Sequence, residues 1–494
     1  MGLGELILVA ISEENIYLSN KPQITFFKSV YRKYSNFAIE TIPQYSKSNP
    51  DFGKKLTIDI SKNADLLHKL QIYVELPSLP KSNHSSLPSN IKKIKWVNNI
   101  GHVLIDYIDL EIGGLVIDRL YGDFLNIWYE LTNKSEIKEG FNKLIGNVPE
   151  LTNYTNGKNK YKLNIPFNFW FSQDYGLALP LISLTHHDIK IHIQFNNLYE
   201  CIKESPTHYF EISDLICLFK QNEIITQNIE GKISKGEFIY FDIKKQRVYY
   251  NKLLGDFKVP TSENSTYNIK GTSSQFEISP KINSLIIRDE TYFYNGKPAI
   301  EEAYLLADYI YLDNSERVKF LNKNHEYLIN KIRFTIPENL YNTNNNYKIS
   351  LVNPVKAIFW RSVLKNNIEL NDKFNYTTYP LTDKKENIIK NHLIIINSIK
   401  REEIDTWEYY DYVQKYKSKF NNLTNGIYNY SFCLNPLEYQ PSGSLNFSKI
   451  DDSYLQITLN TAIDYQNPCQ IFLYSLQYNV FNIIDGIGGL KYYL

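Results

Sequence analysis

Methionine occurs once in this chain, cysteine four times, alanine rarely, and net charge is almost absent. Each shortage excludes something. Cys201, Cys217, Cys433 and Cys469 are scattered, and no pair has CxxC spacing. Free, mostly buried thiols in a reducing compartment are therefore expected, with room for one disulfide at most. No apolar run reaches the roughly 20 residues of a membrane span. The N-terminal LGELILVAI is short, carries Glu5 and lacks the basic leader of a secretory signal. Lys and Arg total 54 against 53 Asp and Glu, a net charge of +1. A dedicated nucleic-acid coat would carry a basic excess, so direct nucleic-acid binding is not expected. GxGxxG, GxxxxGK[ST] and GxSxG are all missing, which removes the familiar dinucleotide, phosphate-loop and serine-hydrolase signatures.

What the chain does have is 40 Tyr and 26 Phe. Tyrosine gives wide amphipathic contact area and favours β-sheets and interfaces. Abundant Asn, Ile, Lys and Tyr also follow from an AT-rich genome, and the two causes weigh equally. At 494 residues and 43% hydrophobic, the chain has material for two to four domains with large cores.

Strand patterns dominate. DIKIHIQF alternates Ile189, Ile191, Ile193 and Phe195 with polar residues; LQIYVEL and KLTIDI do the same. YIDLEIGGLVIDRL holds two such runs around Gly113-Gly114, whose freedom at positive φ suits a tight hairpin. YGDFLNIWYELT puts Phe124, Ile127, Trp128 and Leu131 on one helical face. Many short strands with few helices indicate an all-β class built from two sandwiches. The boundary falls in DYIYLDNSERVKFLNKNHEYLINKIRFTI, where a strand yields to a charged helical connector and a new strand begins. Expected divisions are an arm at 1–24, a first unit at 25–320 and a second at 321–494. Residues 198–300, rich in Lys, Asn, Ser and Gly, read as a large exposed loop inserted in the first unit, and 339–348 as a smaller loop.

Chemistry-bearing motifs have plain readings. His186, His187 and His192 read as solvated or hydrogen-bonded strand residues, since zinc wants three or four convergent ligands. Ser442 and Ser444 sit in LNPLEYQPSGSLNFSKID, which is turn chemistry set by Pro436, Pro441 and Gly443. The pairs Glu301-Glu302 and Glu402-Glu403 fall in charged stretches, and the Gly cluster of 486–489 reads as a tight bend. Eight Asn-x-Ser/Thr sequons, at Asn83, Asn133, Asn153, Asn264, Asn375, Asn422, Asn429 and Asn446, leave glycosylation open. No catalytic residue, metal or cofactor is expected. The stretch 22–42, PQITFFKSVYRKYSNFAIETI, packs aromatics among Lys28, Arg32 and Lys33. Its aromatics are expected beneath the first unit or against a neighbouring subunit, with base stacking and phosphate binding the weaker reading.

Six blocks taken together resemble the major capsid protein family of the nucleocytoplasmic large DNA viruses. They are NKPQITFFKSVYRKYSNFAIET, DLEIGGLVIDRLYGDFLNIWYELT, IPFNFWFSQDYGLALPLISLTHHDIKIHI, LLADYIYLDNSERVKFLNKNHEYLI, YSFCLNPLEYQPSGSLNFSKID and NVFNIIDGIGGLKYYL. They follow the family's order along nearly the whole chain, except about 200–300.

The resemblance implies a double jelly roll of two consecutive eight-stranded units. It implies a homotrimer of near-hexagonal outline that tiles an icosahedral shell around an internal membrane. Further implied are neighbouring capsomers, minor capsid and penton proteins as partners, and assembly in the host cytoplasm. Assembly contacts are then expected from the arm with Phe26, Phe27 and Tyr31, from Arg119, Tyr121 and Trp128, and from the loop holding Gln440, Pro441, Ser442, Gly443 and Phe447. Competing readings are a transient scaffold of the same fold and a carbohydrate-binding or glycan-cleaving double jelly roll. The glycan readings need clustered exposed aromatics or a carboxylate pair facing a cleft.

Overall fold

In the computed structural model, residues 2–492 are described apart from 83–86, 89–90, 215, 263–266, 289–291 and 294–295. The first roll uses strands β1 (Phe37–Tyr45), β2 (Lys55–Ile60), β3 (Leu66–Leu76), β4 (Ile105–Ile112), β5 (Leu115–Tyr121), β6 (Tyr161–Phe167), β7 (Ile189–Phe195) and β8 (Glu302–Leu312). One sheet runs β1-β8-β3-β6, with the short strand Leu179–Pro180 also on β3; the other runs β2-β7-β4-β5. Period-2 alternation decides which side chains face inward. Leu70, Ile72 and Val74 of β3, with Leu305 and Ala307 of β8, meet Ile58, Ile108 and Ile191 from the facing sheet in one core. Gly113 and Gly114 have φ of 60° and 84°, both in the left-handed region, and close the hairpin between β4 and β5. A Cβ on Gly113 would lie 2.4 Å from the His187 ring, so glycine is needed there for space as well as for φ.

The helix Asn314–Leu321 crosses to the second roll. That roll uses β9 (His325–Phe334), β10 (Asn344–Lys348), β11 (Pro354–Leu364), β12 (Ile389–Ile396), β13 (Ile399–Lys400), β14 (Ile427–Ser431), β15 (Ser453–Leu459) and β16 (Cys469–Ile484). Its sheets run β9-β16-β11-β14 and β10-β15-β12-β13. Taken in chain order within each roll, both show the same path: first, eighth, third, sixth facing second, seventh, fourth, fifth. The fold is a double jelly roll, and its two halves repeat in topology without repeating in sequence.

The segment expected as a long exposed loop is instead folded. Residues 208–288 contribute a seven-stranded antiparallel sheet centred on Lys232–Asp242 and Arg247–Leu254. It has its own core of Phe210, Ile225, Phe238, Val248, Tyr250 and Phe257. Among the described residues, Glu230 and Gly231 form a turn and Lys232, Glu237 and Lys252 lie at the sheet's outer positions, which is why the composition suggested a loop. The Asn-rich stretch 339–348 likewise holds β10, where Tyr347 is buried and Asn344 and Asn346 face out.

Ahead of β1, the helices Leu3–Val9 and Glu13–Ser19 bury no residue. Among the described residues no helix is long and apolar enough to cross a membrane. All four cysteines are free.

Candidate assembly surfaces

The segment between β5 and β6 opens with the helix Gly122–Thr132, whose expected apolar face is the one used. Phe124, Ile127 and Leu131 are buried against Ala357, Phe359 and Val363 of β11 and Tyr474 and Leu476 of β16. Those β11 residues alternate with Ile358, Trp360 and Leu364, which face the second roll's interior. β11 is therefore covered on both faces, once by its own roll and once by the first roll's helix. Burying three such side chains contributes about 1.5–3 kcal/mol each, so this seam is mainly an apolar joint.

Polar groups set its register. Arg361, 1% exposed, donates through Nη2 to Asp123 Oδ2 at 2.6 Å and through Nη1 to the Lys373 carbonyl at 3.1 Å. Its guanidinium lies 4.2 Å from the Phe472 ring centroid. Thr424 Oγ1 donates to Glu130 Oε2 at 2.7 Å, and Asn421 Nδ2 donates to the Asn133 carbonyl at 2.6 Å. Asp118 of β5 is buried beside Lys331 of β9, and burial pushes its carboxyl up to about 7 against the opposing pull of that lysine.

The expected assembly residues divide into three groups. Phe26, Phe27 and Tyr31 are 89%, 99% and 82% exposed, so the expected packing beneath the first roll is not what this chain does with them. Tyr121 and Trp128 belong to the intramolecular joint: the Tyr121 ring packs tilted 5.1 Å from Phe334, and Trp128 lies 6.4 Å from Phe359. Arg119 beside them makes a bidentate pair with buried Asp109, at 2.5 and 2.8 Å, over the Tyr107 ring. In the last group Gln440, Pro441 and Gly443 are exposed and Ser442 is half-buried, its Oγ accepting from the Asn435 amide at 2.9 Å. Phe447 is buried against Phe432 in the second core, because the chain turns inward there; it shapes the loop from within. Sequence reasoning passed over Asp123, Arg361 and Asp118. A lone charge inside an apolar run, as in AIFWRSVL, was the available signal.

The remaining motifs are occupied by ordinary structure. His192 places Nε2 2.9 Å from Glu111 Oε2 and Nδ1 2.9 Å from Thr57 Oγ1. His187 Nδ1 accepts from the Gly488 amide at 3.3 Å. Glu301 pairs with Lys160 at 2.8 Å, and Glu402 accepts from the Tyr430 hydroxyl at 3.1 Å. Among the described residues no three His, Cys, Asp or Glu side chains converge as a metal site. Asn429 is buried, so its sequon is closed to a glycan in the fold; Asn83 and Asn264 lie outside the described residues.

The comparisons agree with this architecture. A family model described as "Major capsid protein N-terminus" matches residues 25–220, and one described as "Large eukaryotic DNA virus major capsid protein" matches 316–489. The chain is 35% identical to "Probable capsid protein 4" of Acanthamoeba polyphaga mimivirus, with 100% of this chain and 99% of the relative covered. It is 27% identical to the major capsid protein of Phaeocystis pouchetii virus over 100% of both chains. The solved Faustovirus major capsid protein superimposes with a TM-score of 0.66 at 13% identity, covering 96% of this chain and 94% of that one. The relatives are structural proteins and not enzymes, and this double jelly roll belongs to the family of large eukaryotic DNA virus major capsid proteins.

Proposed function

We propose that three copies close head to tail into a pseudo-hexameric capsomer, and that capsomers tile an icosahedral shell. The observation that carries this reading is the repeated topology joined in a directional way. The first roll's helix Gly122–Thr132 covers a sheet of the second, whereas among the described residues the matching row of the first, Tyr45, Tyr304 and Tyr73, has its ring contacts within itself. Such a joint is heterologous, and repeated heterologous joints make a ring when the rotation closes. Three chains of two rolls supply six similar wedges. An obligate ring of this kind buries about 2,000 Å² or more per interface. The exposed N-terminal arm is free to reach neighbouring capsomers or minor and penton proteins at the shell's inner side, near an internal membrane. Assembly in the host cytoplasm accords with the free thiols.

Size-exclusion chromatography with light scattering tests the core of this reading. The expected mass is three times the 57.9 kDa of the chain, with a hexagonal outline by electron microscopy. A monomer at high concentration overturns it. Presence as the dominant protein of purified particles separates a capsid component from a transient scaffold.

A further inference from the structure

The two rolls are built alike but covered unlike. On the outer face of the second roll, one cross-strand row reads Phe334, Tyr474, Phe359 and Asn429, over β9, β16, β11 and β14. On the outer face of the first roll, the row over the topologically matching strands β1, β8, β3 and β6 reads Tyr45, Tyr304, Tyr73 and Asn164. Both rows are three aromatics followed by asparagine. Both are stacked, with ring centroids 4.7 Å apart for Phe334 and Tyr474 and 4.6 Å for Tyr73 and Tyr304. In the second roll Phe359 and Tyr474 are 0% and 1% exposed, sealed by the helix Gly122–Thr132. In the first roll Tyr45 is 63% exposed, Tyr73 and Tyr304 are half-buried, and among the described residues the row's ring contacts are with one another. A 380 Å³ hollow beside it lies between Gln71, Leu306 and Asp308 of the sheet and Leu125, Trp128 and Tyr129 of the chain's own helix Gly122–Thr132.

The element that seals the second roll sits between the fifth and sixth strands of the first. The matching segment of the second roll, 401–426, joins β13 to β14. Its helical turns Tyr409–Val413 and Gln414–Lys417 bury Tyr409 and Tyr410 and leave Tyr412, Val413 and Tyr416 exposed. Tyr416 stands at i+4 from Tyr412 and i+3 from Val413, so it lies between them on one exposed face. We propose that the row Tyr45–Tyr304–Tyr73 is the seat for this 401–426 connector of a second copy, so that the joint inside the chain is repeated between chains. The inference rests on the trimer reading and deepens it. Charge fits as well. Two residues beyond Phe359 in β11 stands Arg361, which takes Asp123 from the covering helix. Two residues beyond Tyr73 in β3 stands Glu75, opposite Glu302. Glu75 also faces Lys162 on its other side, which leaves Glu302 as the acidic group for an incoming cation; Lys417 and Lys419 are exposed beside Tyr416.

The test uses Tyr304→Asp and Tyr416→Asp in the full chain, each checked by thermal melting against the wild type. Tyr416 is 85% exposed, so melting of its dissociated variant is expected to be unchanged, whereas Tyr304 is half-buried and stacked on Tyr73, so its variant is expected to melt lower but still as a folded chain. Each variant alone is expected to lose the trimer, with association weakened at least about 30-fold, as for a truncated hot spot. Mixed together they are expected to give a one-to-one dimer, since the intact connector of the first seats on the intact row of the second. A wild-type trimer that survives Tyr304→Asp overturns the proposed seat and leaves the trimer reading standing. Two monomeric variants that do not pair when mixed overturn the pairing of row with connector. A monomeric wild type overturns both readings.

Discussion

Asp123→Ala is the sharpest probe of the joint between the rolls. It leaves the Arg361 guanidinium, 1% exposed, without its carboxylate. Breaking a buried ion pair from one side costs about 3–5 kcal/mol, because the remaining charge is stranded. Two features pull the cost toward about 3 kcal/mol, the low end of that range. Arg361 keeps the Lys373 carbonyl and the Phe472 ring, and Asp123 itself is 28% exposed, so water reaches its place. Against this, Arg361 Nε already has no partner. Arg361→Met removes the charge and fills the slot between Phe472 and Tyr376, so it is expected to cost less than Asp123→Ala. The double variant Asp123→Ala/Arg361→Met is then expected to be more stable than Asp123→Ala alone. Urea unfolding followed by tryptophan fluorescence reads this, because Trp128 lies in the joint. In a chain of two rolls the transition that carries the Trp128 signal is the relevant one, since a single global free energy need not exist. The reasoning fails if Asp123→Ala costs under about 1 kcal/mol, the range of an exposed ion pair. It also fails if the double variant is no more stable than the single.

How much of this was legible in the sequence depends on what each signal measures. Strict alternation in 189–195 and 55–60 named strands and their inward faces, because a residue's side of a sheet follows from parity alone. Parity is silent on partners. That β1 pairs with β8, across nearly the whole first roll, is a fact of topology that no local pattern carries. The helix Gly122–Thr132 was legible as amphipathic, and Trp128 on its stripe was expected as an assembly contact. Trp128 packs on the second roll of its own chain, and an apolar face looks the same in sequence whether it covers another chain or the next roll of its own. Residues 208–288 were misread for a related reason. A small sheet with one buried face shows polar residues at every second position, and with Asn, Lys and Ser in its turns the average composition resembles a loop. The tyrosine row was invisible because its members lie far apart in sequence. Tyr45, Tyr73 and Tyr304 become neighbours only once three strands are in register.

Two further outcomes follow from the same contacts. Deleting residues 2–34 is expected to leave the melting temperature of the dissociated chain unchanged, since the segment buries nothing; a fall of several degrees by differential scanning fluorimetry means the arm packs on its own roll. Asp118 gives a pH dependence of definite sign. Its carboxyl is held up to about 7 in the fold by burial, against about 4 in an unfolded chain. A raised acid favours the fold fully below the unfolded value, and that contribution is lost as pH rises from about 4 through about 7. Above that range the ionised group is a constant penalty of at most about 4 kcal/mol, a figure that already includes the pull of Lys331. Asp118→Asn has no such proton to lose. Its stability relative to wild type is therefore expected to increase between pH 4.5 and 7.5 and then level off, as measured by urea midpoints across that range. A difference that stays flat, or shrinks with rising pH, means that Asp118 is ionised in the joint and held by Lys331, which reverses the account of that contact.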